Sequence, residues 1–217
     1  MTHIERLVIP RETLRGTEFG LGALLRRVAH AVPGLHRPRL LRGARLPSPV
    51  DAPRIDTDRL TLRPHRLNDA AEWFALQSDP RTVKYIDWEL RNRDESLKHL
   101  RDRTRKTRLW QADDFLALAV EHDGALIGDV SLHLRTVEAE QRSAEVGWVL
   151  NPEHSGNGYA TEAAAAMVRF ALDDLAATTV TAVIDRRNER SVALARRLGF
   201  THYSSTPTHV TLAISRS

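Results

Sequence analysis

The order of elements in this sequence predicts an α+β fold: a mixed, mostly antiparallel central sheet with helices on both faces. Three observations carry that prediction. Three β-type runs, 115–121, 125–134 and 143–150, follow one another with no helix between them, the mark of an antiparallel meander. The next β-branched run, 178–184, comes only after a long helical pattern, so it pairs in parallel or diverges. And 217 residues without one cysteine must hold their core by apolar burial, which a 41% apolar composition allows.

Each element has its own local reason. Leu60-Thr61-Leu62-Arg63 alternates apolar and polar, a strand signal. Asn68 or Asp69 can cap a helix whose apolar side chains are Trp73, Phe74 and Leu76. Asn92 and Glu95 have capping-box spacing ahead of a second helix carrying Leu97, Leu100 and, near its end, Leu109. That helix also carries Arg101, Arg103, Arg105, Lys106 and Arg108. No aromatic residues interleave with them, so they read as a solvated face and not a nucleic-acid groove. His122-Asp123-Gly124 is a hairpin turn between two strands, with Gly124 free to take positive φ. Residues 158–175 are helical, with Ala163, Met167, Phe170 and Ala171 as packing positions. Residues 188–198 form a further helix closed by Gly199, and Tyr203 with the run 209–214 supplies the last strands.

Charge separates the chain into two parts. Residues 1–50 hold nine Arg, no Lys and three Glu, so the net charge of +4 is a property of this segment and the remainder is near neutral. The segment contains a possible short helix over 17–32 capped by Thr17, then Pro33-Gly34 and a Pro- and Arg-bearing stretch to Pro49 that reads as linker. The expected organisation is a flexible basic extension over 1–53 and a folded domain over 54–217. No apolar run approaches the roughly 20 residues of a membrane helix, and no secretory apolar core follows Met1, so a cytoplasmic protein without membrane contact is expected.

The stretch that carries chemistry runs from Val149 to Ala163. A strand leads through Asn151-Pro152-Glu153-His154-Ser155-Gly156-Asn157-Gly158 into a helix beginning near Tyr159, Ala160 and Thr161. Gly156 and Gly158 remove Cβ atoms where backbone must approach a ligand. The free amides of Gly158, Tyr159, Ala160 and Thr161, with the helix dipole, form an anion site suited to a pyrophosphate. Two glycines in a tight turn also serve as a plain helix cap. The third glycine of a dinucleotide fingerprint and the Lys-Ser/Thr of a P-loop are both absent.

Gly156-Asn157-Gly158-Tyr159-Ala160, followed by Asn188-x-x-Ser191 and Leu198-Gly199-Phe200, resembles the GNAT N-acetyltransferase superfamily. The opening Asp58-Arg59-Leu60-Thr61-Leu62-Arg63-Pro64 and the strand Ala144-Glu145-Val146-Gly147-Trp148-Val149-Leu150 resemble its branch of ribosomal-protein N-terminal acetyltransferases. The resemblance covers about 54–217. It implies acetyl-CoA as co-substrate, with the pyrophosphate on the amides of Gly156, Asn157, Gly158, Tyr159 and Ala160. It also implies the pantetheine arm against the backbone of Trp148, Val149 and Leu150, and contacts from Asn188 and Ser191. The chain departs from the family pattern at Glu153, where Gln or Arg is usual, and at Ser155 and Asn157, where Trp or Arg and Lys are common. It departs again at Ala195, where many relatives carry a tyrosine general acid.

Acetyl transfer to an amine needs a base for the amine, a donor for the carbonyl oxygen and a proton for the thiolate. Glu145 is the expected base, with a structural carboxylate paired to Arg142 or another Arg as the alternative. A backbone N–H near Val149 is the expected carbonyl donor, and Ser191, with Asn188 and a water, the expected acid. Trp148 and Tyr203 are candidates for lining an acceptor pocket. The ten His show no metal-ligand spacing, so no metal is expected. The expected acceptor is a primary amine: a ribosomal or other protein N-terminus, or a small molecule such as an antibiotic or polyamine. The protein is expected as a monomer or homodimer, without nucleic acid. Two other readings stand beside this one: a CoA-binding sensor with little turnover, and a ribosome- or RNA-docking protein using the basic extension.

Overall fold

Eight of the ten strands found among the described residues form one sheet, and the exception to its antiparallel pairing is where it opens. The protein is described here by a computed structural model covering residues 43–86 and 88–216. The helix expected over 17–32 lies outside the described residues.

The first strand, β1 (Arg45–Asp51), falls inside the stretch expected to be linker. Its Leu46 is 4% exposed and joins the core, and it pairs antiparallel with β4 (Arg108–Gln111). The folded part therefore begins before residue 54. The Pro-rich composition misled because Pro47 and Pro49 sit on a two-stranded edge, where a missing N–H costs little. β2 (Ile55–Asp56) and β3 (Thr61–Pro64) follow. Next come helix α1 (Ala70–Ser78), the short α2 (Pro80–Val83) and α3 (Arg93–Arg103). The capping box before α3 is present: Asn92 Oδ1 accepts from the Glu95 amide at 3.0 Å, and Glu95 accepts from the Asn92 amide at 2.9 Å. Asp69 precedes α1 without capping it. It pairs with the buried Arg63 at 2.7 Å instead. The helix expected to reach Leu109 ends at Arg103, and Arg108 and Leu109 belong to β4.

The meander is β5 (Phe115–His122), β6 (Ala125–Thr136) and β7 (Ser143–Leu150). Asp123 (φ 49°) and Gly124 (φ 80°) make the two-residue turn between the first two. Both central residues take positive φ there, as a tight hairpin requires. Helix α4 (Tyr159–Asp173) precedes β8 (Thr179–Asp185), and α5 (Glu189–Arg197) precedes β9 (Thr201–Ser205) and β10 (His209–Ser215). The sheet order is β2-β3-β5-β6-β7-β8-β10-β9. All its pairings are antiparallel except β7 with β8. That parallel pair joins only Ser143, Ala144 and Glu145 to Thr179, Val180 and Thr181, after which the strands part.

The core divides between the two faces. Met167, Phe170 and Ala171 of α4 pack with Leu118, Val130, Leu132 and Val146. On the other face Trp73, Leu76 and Leu100 of α1 and α3 pack over Ala119 and Leu126. This is the mixed α+β architecture the element order predicts.

Candidate active site

The loop from β7 to α4 is held open at its amides. Gly156 and Gly158 take φ of 89° and 82°, the left-handed region where a side chain would be strained. Gly158 is the N-cap of α4, and no side chain caps the helix. The amides of Tyr159, Ala160 and Thr161 therefore face outward with the positive end of the helix dipole behind them. A Cβ on Gly158 would sit 3.4 Å from an Arg59 guanidinium nitrogen.

Arg59 is the organiser of this cradle. Its Nη1 donates to the Asn157 carbonyl at 2.9 Å, its Nη2 lies 2.7 Å from Glu162, and its guanidinium stacks 4.7 Å from the Tyr159 ring centroid. Burial pushes the Glu162 carboxyl up. Hydrogen bonds from Thr57 and Arg59 outweigh that and hold it below the ordinary carboxylate range. Tyr159 Oη donates to His122 Nε2 at 2.9 Å, whose Nδ1 donates in turn to the Arg59 carbonyl at 3.0 Å. The side-chain cations missing from the loop sequence are thus supplied from elsewhere: Arg59, Arg81, Lys84, Arg169, Arg187 and Arg190 all line the groove over the loop. Glu153 points to Arg81 at 2.6 Å, which offsets its charge near that groove.

Where β7 and β8 part, the groove runs along open backbone. The Asn151 amide bonds the Ile127 carbonyl, and Asp129 faces Val149 in the same register. By the alternation of an antiparallel ladder, Val149 is satisfied by β6, and the amides of Trp148 and Leu150 turn to the open side. The strand donor expected near Val149 is therefore Trp148 or Leu150. Asn188 caps α5, its Oδ1 accepting from the Ser191 amide at 3.2 Å. Trp148 Nε1 donates to Ser191 Oγ at 3.3 Å, which leaves the Ser191 proton free to be donated. Ala195 is fully buried, so on this helix Ser191 is the hydroxyl beside the groove.

The groove opens into a second cavity of about 260 Å³ through the sheet opening. Tyr85, Ile86, Trp148, Val149, Asn188 and Ser191 line both. Its far wall is made of Arg103, Phe115, Asp129, Ser131 and His133. Asp129 is 3% exposed. Burial pushes its carboxyl up, but Arg103 at 3.8 Å and His65, whose Nε2 donates at 2.8 Å, together bring it below the ordinary range. Beneath lies His99, stacked on Trp73 and accepting from Gln77 Nε2 at 2.7 Å. Burial, then the charges of Arg103 and Arg91, lower the His99 pKa to about 4.

Of the residues expected at the site, Trp148, Val149, Leu150, Gly156, Gly158, Tyr159, Ala160, Thr161, Asn188 and Ser191 line one groove. The Asn157 side chain turns to the His154 carbonyl and lies outside the lining. Glu145 lines neither cavity. Its carboxylate is 2.8 Å from Arg135, the paired carboxylate of the alternative reading, with Arg135 in place of Arg142. Tyr203 is on the edge strand β9, 68% exposed and away from both cavities. Arg103 was expected on a solvated face and is 6% exposed. The signal for it was its position three residues after Leu100 and seven after Ser96, both buried on the same side of α3.

A mostly antiparallel sheet opened between two parallel strands, with an uncapped helix N-terminus beside the opening, is the architecture of the acyl-CoA N-acyltransferase fold. The chain belongs to the GNAT acetyltransferase family: the family's Acetyltransferase (GNAT) domain pattern matches residues 59–201. The uncharacterized N-acetyltransferase YoaA of Bacillus subtilis is 29% identical over 151 residues, spanning 68% of this chain and 82% of its own. Among solved structures, a GNAT-family acetyltransferase from Bacillus anthracis has the same fold (TM-score 0.64, 20% identity, 75% of this chain and 98% of that one). So does RimL, a ribosomal alpha-N-protein acetyltransferase in complex with coenzyme A (TM-score 0.62, 16% identity, 76% and 98%). The protein is an acetyl-CoA-dependent N-acetyltransferase. The left-handed glycines, the open amides and the cationic groove fit the phosphates of that co-substrate. Among the described residues there is no metal-ligating cluster and no helix long and apolar enough to cross a membrane.

Proposed function

We propose that the acceptor is an amine on a group the size of one amino acid, either a protein N-terminal residue or a small molecule, acetylated by direct attack within a ternary complex. The carrying observation is the continuity of the two cavities at Trp148 and Ser191. At about 260 Å³ the acceptor cavity admits one head group and not a folded surface. The likeness to RimL supports an N-terminal residue as one form of that head group. A cytoplasmic location and a monomer or homodimer belong to the same reading.

Bound acetyl-CoA supplies an activated thioester, so that the amine forms a C–N bond as the C–S bond breaks and CoA leaves as the thiol. The cradle around Gly156 and Gly158 binds, and the amides of Trp148 and Leu150 orient. Asp129 faces the acceptor cavity as a carboxylate, in the place expected of Glu145, and holds the incoming ammonium, while water takes the proton that the amine loses. Ser191 donates its proton toward the leaving sulfur, oriented by Trp148 and by the Asn188 cap. Direct attack requires both substrates bound at once. Initial rates with both concentrations varied should give converging double-reciprocal lines. Parallel lines would indicate an acetylated enzyme and sink the ternary reading. The thiol can be followed with a thiol reagent without background, because the chain has no cysteine.

A further inference from the structure

Arg103 is a charged group in the acceptor cavity that the reaction above leaves unused. It is 6% exposed, lines the cavity, and its Nε and Nη1 have no hydrogen-bond partner. Rings surround it: Phe115 at 4.9 Å, Trp88 at 5.4 Å and Trp73 at 5.8 Å from the guanidinium carbon. Aromatic faces attract the cation but accept little from its N–H groups. Asp129 is 3.8 Å away, too far for a hydrogen bond, and its other oxygen is occupied by His65 at 2.8 Å.

The neighbourhood holds a second cation of the same kind. Arg91, over the Trp88 ring at 5.6 Å, also has a buried, unpartnered nitrogen. Burial, then the charge of Arg103, lowers the Arg91 pKa. The other acid in the cavity wall, Asp185, is held by Arg187 at 2.6 Å. A buried guanidinium short of acceptors is costly to keep, and a planar carboxylate is the group whose geometry it matches.

We infer that Arg103 binds a carboxylate of the acceptor, so that the substrates of this enzyme are amines carrying an acid group within one residue of the nitrogen. The inference rests on the acetyl-transfer reading above. Two sources share that chemistry: a free amino acid, through its α-carboxylate, and a peptide N-terminus with an acidic first residue. Asp129 takes the ammonium and Arg103 the carboxylate, which fixes the nitrogen between them.

The test uses products, which have no amine whose basicity changes with the neighbouring acid. Protein saturated with CoA is titrated by calorimetry with the N-acetyl forms of the common amino acids and with their carboxamides. A second arm uses N-acetylated tetrapeptides beginning with Glu or Gln. The carboxylate member of a pair should bind about 10- to 100-fold tighter. In Arg103→Met the preference should fall to near one, and in Arg103→Lys it should be intermediate. Preference among free amino acids alone names the small-molecule source, and preference in the Glu/Gln pair alone names the peptide source. Equal binding of acid and amide, no binding of any acid, or a preference that survives in Arg103→Met overturns the inference. If Arg103→Met does not fold, the wild-type preference and its reduction in Arg103→Lys decide. Failure of the underlying reading looks different: CoA itself does not bind, or no thiol is released from acetyl-CoA with any amine.

Discussion

The cradle proposed for the co-substrate and the cavity proposed for the acceptor meet at Ser191 but are built by opposite means. The cradle is backbone: two left-handed glycines and the first amides of α4, all within one short stretch of chain. Its cations are exposed, Arg59 at 45%, and come from distant elements. The acceptor cavity is side chains: Arg103 from α3, Phe115 from β5, Asp129, Ser131 and His133 from β6, with its charges buried. A cradle of amides holds a phosphate by geometry that any sequence with the right glycines can supply. A wall of buried side chains recognises by charge and shape, and can change without altering the cradle.

The sharpest way to break the comparison is to close the cradle. Acetyl-CoA at about 100 times Kd adds roughly 2.7 kcal/mol of stability, a rise in Tm of roughly 5–11 °C for a chain of this size. Gly158→Leu places a Cβ at positive φ and against Arg59, and should abolish that rise. A variant that still shifts with acetyl-CoA would mean that the side-chain cations, and not the amides, hold the co-substrate.

Next in size is the junction. Ser191→Ala should lower kcat by about 100-fold or more, the usual worth of a positioned proton donor, and leave the acetyl-CoA shift in Tm intact. If kcat is unchanged, water protonates the sulfur and Trp148 Nε1 bonds Ser191 for structure alone.

These two sites mark how far the sequence could be read. Gly156, Gly158, Asn188 and Ser191 were legible because each acts through its neighbours in the chain: a loop, a helix start, a cap. The meander was legible for the same reason, with Asp123-Gly124 announcing its turn. For Glu145 the sequence left two readings open, base or paired carboxylate, because strand alternation gives a side chain's face but not its partner; that partner is Arg135 of the neighbouring strand at 2.8 Å. Arg59 and Glu162 are 103 residues apart, a pairing that no local pattern encodes. Arg103 was hidden by composition: five basic residues in a short run suggest solvent, while the helical spacing from Leu100 points inward.

Acid should separate the two regions by stability. His99 is neutral in the folded chain down to a pKa of about 4, against an ordinary value near 6.5. The unfolded chain takes up that proton first, so stability is complete above about pH 6.5 and falls as the pH drops toward 4. The loss should reach roughly 2–3 kcal/mol across that window. His99→Gln, which keeps a polar partner for Gln77, should flatten the fall. An unchanged slope would move the acid sensitivity away from the α1–α3 side.

The smallest effect expected is at Arg81. It is 62% exposed and bridges Asp79 at 2.7 Å and Glu153 at 2.6 Å, so its loss should cost less than about 1 kcal/mol of stability. Its functional weight is greater than its structural one. Glu153 stands two residues before the cradle loop turns at Ser155, and without Arg81 its charge near the groove is unopposed. Arg81→Ala should therefore raise the KM for acetyl-CoA several-fold at low ionic strength, with kcat unaltered, and added salt should shrink the difference. The double variant with Glu153→Gln should recover most of the loss, because what Arg81 corrects is then gone. If Arg81→Ala alone leaves KM unchanged, Arg59 and the amides carry the phosphates by themselves, and the cradle is even more a property of its backbone than the comparison holds.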